Sequence, residues 1–301
     1  MSEEQLEAIR AAILKATPTL TDDIALSRQG FDRASAAMDA AADITLSPAS
    51  VGVIDGLWAD APVSRDDRAV LYLHGGAYVL GNAHGYRAMA GELARSSRAR
   101  VLAINYRLAP ENLFPAALED GVASYRHLLD AGFPPERIAI AGDSAGGGLA
   151  LGVLLAIRDD GLPLPACGAV ISPWADLTCS SPSMESRADT DFILTASRLR
   201  GRAAAYLGGG SVEHPHASPA FGDYTGLPPL LIQVGEAEIL LDEAIAVADR
   251  AAHAGVRVTL EVWPGMPHVW HRFLAVLDEG REGLASVGAF IDARLDSGDR
   301  G

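Results

Sequence analysis

The stretch Ile138-Ala-Ile-Ala-Gly142-Asp143-Ser144-Ala145-Gly146-Gly147-Gly148 decides the fold. An apolar run of strand character ends in Gly142-x-Ser144-x-Gly146, and residues 149–157, rich in Leu, Ala and Val, continue with helical spacing. Strand, sharp turn and helix form the context in which this pentapeptide projects a nucleophilic serine, here Ser144. Gly142 and Gly146 fit because a Cβ at either place would crowd the turn. Alone, the motif reads equally well as a glycine-rich strand-to-helix loop.

A second segment upstream shifts the balance. His74-Gly75-Gly76-Ala77-Tyr78 follows the apolar run Ala69-Val-Leu-Tyr-Leu73. Acyl transfer builds negative charge on a carbonyl oxygen, and glycines let backbone N–H groups approach it without an intervening side chain. Hydrolases with this elbow build the oxyanion hole from the N–H after the nucleophile, here Ala145, and from a glycine-rich loop, here Gly75, Gly76 and Ala77. His74 reads as a brace for that loop.

Taken together, HGGAY at 74–78, Tyr106-Arg-Leu-Ala-Pro-Glu111, Phe114-Pro-Ala116, GDSAGG at 142–147 and Gly265-Met-Pro-His268 resemble the bacterial hormone-sensitive-lipase family of esterases. The resemblance spans most of the chain. It implies an α/β-hydrolase core with a mostly parallel eight-stranded sheet flanked by helices, a helical cap, and carboxylic ester hydrolysis without a cofactor. In the family the 106–111 stretch is structural, so Arg107 and Glu111 read as scaffold.

Chain order prunes the candidate bases, because this fold places its triad as Ser, acid, His. His84 and His127 come too early, and His214 and His216 read as surface residues without a third ligand for a metal. His253 falls inside a helical pattern, which leaves His268 and His271. His268 follows the alternating Val256, Val258, Leu260 and Val262 through the loop Pro264-Gly-Met-Pro267, and it matches the family histidine. The acid belongs after the strand Leu230-Leu-Ile-Gln-Val234. The family pattern there is Gly, then Asp three residues on; Gly235, Leu240 and Asp242 keep the frame, and Glu238 stands where Asp is usual. Glutamate can accept the imidazole Nδ1–H bond as well. Asp242 is the alternative acid, although it reads better as a helix-start residue.

The remaining sequence bounds the architecture. Strand-like and helix-like segments alternate, with strands at 51–57, 69–73, 101–106, 138–141, 168–172, 230–234 and 256–263, and helical patterns at 116–131, 145–158, 242–254 and 283–295. Residues 173–227 break that cadence and read as an insertion above the carboxyl ends of the strands, where open α/β sheets bind ligands. With residues 1–45 it would form the cap over a core of 46–172 and 228–301. Leu6, Ile9, Ile13 and Leu14 give the first segment one apolar helical face. Candidate substrate contacts are Tyr78, Asp143, Phe192, Tyr206 and Leu207, with Leu199 as a further cap residue. Asp176 and Asp191 read as helix caps or turn formers and are assigned no chemistry.

A formal charge of −15 with no basic cluster argues against nucleic acid and against stable association with anionic membranes. Cys167 and Cys179 lack metal or redox spacing and read as buried thiols of a reducing compartment. The acidic start, Met1-Ser-Glu-Glu, does not resemble a secretory signal, so the expected location is the cytoplasm. The partner expected is a small ester, with a homodimer by family analogy. Two rivals share the fold: a lactone or amide hydrolase on the same triad, and a small-molecule receptor.

Overall fold

The computed structural model describes residues 3–15 and 23–297; the parts of the expected 1–45 segment and of the carboxyl terminus that fall elsewhere lie outside the described residues. Two helices open the chain, α1 (Glu3–Lys15) and α2 (Ile24–Ser35). Asp23 caps α2 by accepting the Leu26 N–H through its side chain. An antiparallel hairpin follows, β1 (Thr45–Val51) and β2 (Ile54–Asp60). The sequence predicts one strand over 51–57. Instead the chain reverses there, with Gly52 in the left-handed region at φ +60 and Val53 almost fully exposed at the tip.

Five parallel pairings build the rest of the sheet from β3 (Arg65–Leu73), β4 (Ala99–Ile104), β5 (Ile138–Asp143), β6 (Cys167–Ile171), β7 (Leu230–Gly235) and β8 (Val258–Trp263). The order is β1-β2-β4-β3-β5-β6-β7-β8. Residues 69–73 of β3 and all of β5, β6 and β7 are buried, as expected for parallel strands covered on both faces, and this explains their nearly unbroken apolar runs. At the edge, β8 keeps its alternation, but Leu260 and Val262 remain exposed.

The connecting helices are α3 (Arg87–Ser97), α4 (Ala116–Asp130), α5 (Ala145–Asp159), α8 (Leu241–His253) and α9 (Asp278–Ser297). Helix α3 has no counterpart in the sequence reading. Helix α5 is buried from Ala145 to Ile157 on every side. The sheet takes one face; on another, a Cβ at Gly152 would strike the His216 carbonyl, and one at Gly148 the Trp174 carbonyl. Residues 173–227 therefore lie directly on α5, carrying α6 (Ser183–Ser186) and α7 (Ala196–Leu207). They also meet the amino-terminal helices: Arg202 Nη2 donates to Ser27 Oγ at 3.1 Å, and the Arg10 guanidinium sits 5.9 Å from the Phe192 ring. Both cysteines are free and buried, and burial raises each thiol to about 12. Arg107 binds Asp120 and Glu119, while Arg28 grips Glu111 with two bonds of 2.7 Å, so the 106–111 stretch is tied into the scaffold.

Candidate active site

The turn between β5 and α5 is held by backbone packed on backbone. A Cβ on Gly142 would collide with the Gly146 carbonyl, and one on Gly146 with the carbonyls of Leu73 and His74. Ser144, at the vertex, takes φ 53 and ψ −124, a conformation that costs a non-glycine residue energy and persists only where the surroundings enforce it. Its N–H donates to Ile171 O and its carbonyl accepts from Gly148 and Trp174, which pins the vertex between β6 and the first turn of α5.

Three residues from separate loops meet here. Ser144 Oγ lies 2.9 Å from His268 Nε2, and His268 Nδ1 lies 2.7 Å from Glu238 Oε2. Glu238 is fully buried and His268 nearly so. A carboxylate can only accept, so the imidazole proton sits on Nδ1 and leaves Nε2 facing the serine hydroxyl. The other oxygen, Glu238 Oε1, accepts from Ser172 Oγ and from the Gly235 N–H, each at 2.6 Å. Burial alone pulls the His268 pKa down; the bond to Glu238 and its charge, with Asp191 and Asp143 behind it, outweigh burial and raise it. Asp242 lies in the first turn of α8, and its N–H donates to Ser183 Oγ. His271 is held against Gln233 at 2.7 Å, and burial drives its pKa to about 3.

The glycine loop after β3 adjoins the elbow because Leu73 pairs with Gly142 across the β3–β5 ladder. Gly76, Ala77 and Tyr78 all take positive φ. Among the described residues, the N–H groups of Gly76, Ala77 and Ala145 donate to no protein acceptor. Gly75 is a correction to the sequence reading: its N–H donates to Asp143 Oδ1 at 3.0 Å and so is already committed. Asp143 is a second correction. Instead of facing substrate it is fully buried, with Oδ1 also accepting from Tyr72 Oη at 2.6 Å. Burial raises its pKa, against the opposing pull of the Tyr72 bond. His74 braces the loop from behind: its ring stacks on Tyr106 at 4.3 Å and on Tyr86 at 5.6 Å, and burial lowers its pKa to about 4. Tyr106 Oη donates to the His74 carbonyl at 2.7 Å.

Among the expected substrate contacts, Tyr78 and Tyr206 stack face to face at 3.9 Å, with Trp174 tilted against Tyr78. The same Tyr78 hydroxyl lies beside Gly148 of α5. Leu207 and Leu199 are buried in α7. Phe192 is half-buried and stands apart, under Arg10 of α1. His216 pairs with Asp159 at 2.9 Å, and the His214 ring lies 4.8 Å from that of Phe114. The sequence reading missed Ser172 and the long-range bond of Asp191. Ser172 carried only the weak signal of a polar residue ending an apolar strand. The Asp191 carboxylate accepts the N–H groups of Ile193, Leu194 and Ile239, joining the 173–227 segment to the loop that carries Glu238.

Comparison with known proteins gives the family. Residues 70–272 match the α/β-hydrolase-fold family. A crystal structure of an esterase from the bacterial hormone-sensitive-lipase family superposes with a TM-score of 0.94 at 43% identity, over 97% of this chain and 98% of that one. The chain belongs to that family of esterases. An acetyl-hydrolase of Streptomyces hygroscopicus is 45% identical over 293 residues, 97% of each chain. An ethyl acetate hydrolase of Pseudomonas putida is 34% identical over 73% of this chain and 71% of its own.

Replacing Asp143 with Ala should leave the Tyr72 hydroxyl and the Gly75 N–H as buried donors without an acceptor. The expected cost is about 2–4 kcal/mol of stability, two groups at about 1–2 each, read from urea unfolding. Turnover of p-nitrophenyl acetate should fall by at least about tenfold as the glycine loop loses its anchor. Wild-type values in both measurements would remove Asp143 from this role.

Proposed function

We propose that this esterase hydrolyses short- to medium-chain carboxylic esters through a Ser144–His268–Glu238 triad and an acyl-enzyme intermediate. The observation that carries the reading is the unbroken hydrogen-bonded line from Ser144 Oγ through His268 to the buried Glu238. Ser144 Oγ attacks the ester carbonyl carbon as its proton passes to His268 Nε2. Negative charge then builds on the carbonyl oxygen, and the N–H groups of Gly76, Ala77 and Ala145 are the donors assigned to it. The imidazolium is stabilised by Glu238 and returns its proton to the departing alkoxide, which leaves as alcohol. Water, deprotonated by the same imidazole, repeats the addition on the acyl-enzyme and frees the acid.

The acyl preference rests on the relatives. Acetyl-hydrolase and ethyl acetate hydrolase are names of proteins that handle two-carbon acyl groups. In this chain Tyr78, Tyr206 and Trp174 pack together, buried beside α5. The amino-terminal helices and residues 173–227 act as the cap in this reading, supported by the Arg10–Phe192 and Arg202–Ser27 contacts. No helix among the described residues is long and apolar enough to cross a membrane. The two buried free thiols fit a reducing, cytoplasmic setting.

Ser144→Ala should lower kcat for p-nitrophenyl acetate by at least about 10³-fold and abolish labelling by a fluorophosphonate. Ester hydrolysis that survives this substitution in purified protein would sink the mechanism.

The base must be neutral to accept the serine proton, so activity is lost as pH falls through the His268 pKa. Because that pKa is raised, the acid limb of kcat/KM should have its midpoint above the ordinary histidine value of about 6.5. A midpoint clearly below 6.5 would contradict the net rise that Glu238, Asp191 and Asp143 together impose against burial.

Across p-nitrophenyl esters of increasing length, kcat/KM should peak at short or medium acyl chains. A rate that keeps climbing with long, aggregated esters would point to a lipase instead.

A further inference from the structure

We propose that Ser172 is a positioning residue for catalysis, whose hydroxyl holds Glu238 and the His268 loop in register; this rests on the triad reading above. The hydroxyl donates to Glu238 Oε1 at 2.6 Å and accepts the N–H of Val269, the residue after His268, at 3.2 Å. One oxygen thus touches the acid and the loop that carries the base.

The need for such an anchor follows from the side chain it holds. Glutamate has one more rotatable bond than aspartate, so its carboxylate must be fixed from a second direction to stay in line with Nδ1. Gly235 N–H fixes it from its own loop, and Ser172 from the end of β6. When the imidazolium forms, a carboxylate that had swung away would leave that charge buried without its partner. Ser172 itself is held under strain for this task, with φ 45, no solvent exposure, and its N–H on the Gln233 carbonyl at 2.7 Å.

Three single variants, Ser172→Ala, Ser172→Gly and Glu238→Ala, and the double Ser172→Ala/Glu238→Ala separate the possibilities with p-nitrophenyl acetate as probe. Both Ser172 variants should lose kcat by about 10- to 100-fold, as for a hydrogen bond to a charged acceptor, with KM within about twofold of wild type. Glycine relieves the positive φ but has no hydroxyl, so wild-type turnover in Ser172→Gly would overturn the proposal in favour of backbone shape. Because Ser172 acts partly through Glu238, the double variant should lose less than the product of the two single losses; losses that multiply in full would show that the two side chains act independently and would also overturn it. Should the alanine protein melt early, Ser172→Cys keeps the shape with a far weaker donor: reduced kcat at an unchanged Tm supports the role, and wild-type kcat refutes it. Full activity in Glu238→Ala would instead bring down the triad reading itself, whereas a crippled Glu238→Ala beside active Ser172 variants removes only this inference.

Discussion

The site depends on backbone packed against backbone where β5 turns into α5. Gly142 and Gly146 bring their own chain against the carbonyls of Leu73, His74 and Gly146, leaving no room for a side chain. That contact fixes two loops at once, because Leu73 is the last residue of β3 and also the register partner of Gly142. The strained serine and the glycine loop are therefore not independent pieces brought together by chance of folding. Each occupies the space that shapes the other, and the sheet register sets their separation before any side chain contributes.

Around this frame the fold uses buried carboxylates for different tasks. Asp143 ties the glycine loop to β3 and β5 through Gly75 and Tyr72; Asp191 ties the 173–227 segment to the loop of Glu238; Glu238 meets the imidazole itself. All three raise the pKa of His268, against a burial that lowers it. Such groups are costly in a dry interior unless hydrogen-bonded, and each of these accepts at least two bonds. The electrostatics of His268 are thus built by the same contacts that hold the loops in place.

Much of this was legible in the chain because the relevant constraints are local. The parallel strands announced themselves as apolar runs, since burial on both faces leaves little place for polar residues. The elbow and the glycine loop were visible because tight turns need glycine at fixed offsets. Where constraint is not local, the reading faltered. A single glycine does not say whether the chain bends or reverses, so the sequence predicts one strand where the chain makes a hairpin at Gly52. Sequence cannot tell which of several consecutive N–H groups is already spent on a neighbour, as that of Gly75 is on Asp143. The bonds of Ser172 and Asp191 to Glu238 and Ile239 leave no local pattern for the same reason: those partners lie 66 and 48 residues away.

By itself, the sequence determined the fold class, the order of the chemical groups and the identity of the residues at the turn, because motif spacing and periodicity are properties of neighbouring residues. Only the tertiary structure decided that Glu238 and not Asp242 meets His268, which N–H groups are left unspent beside Ser144, and which distant hydroxyl bonds Glu238. Those are questions of direction and distance between loops, and they are answered by sheet register and packing, which no local pattern records.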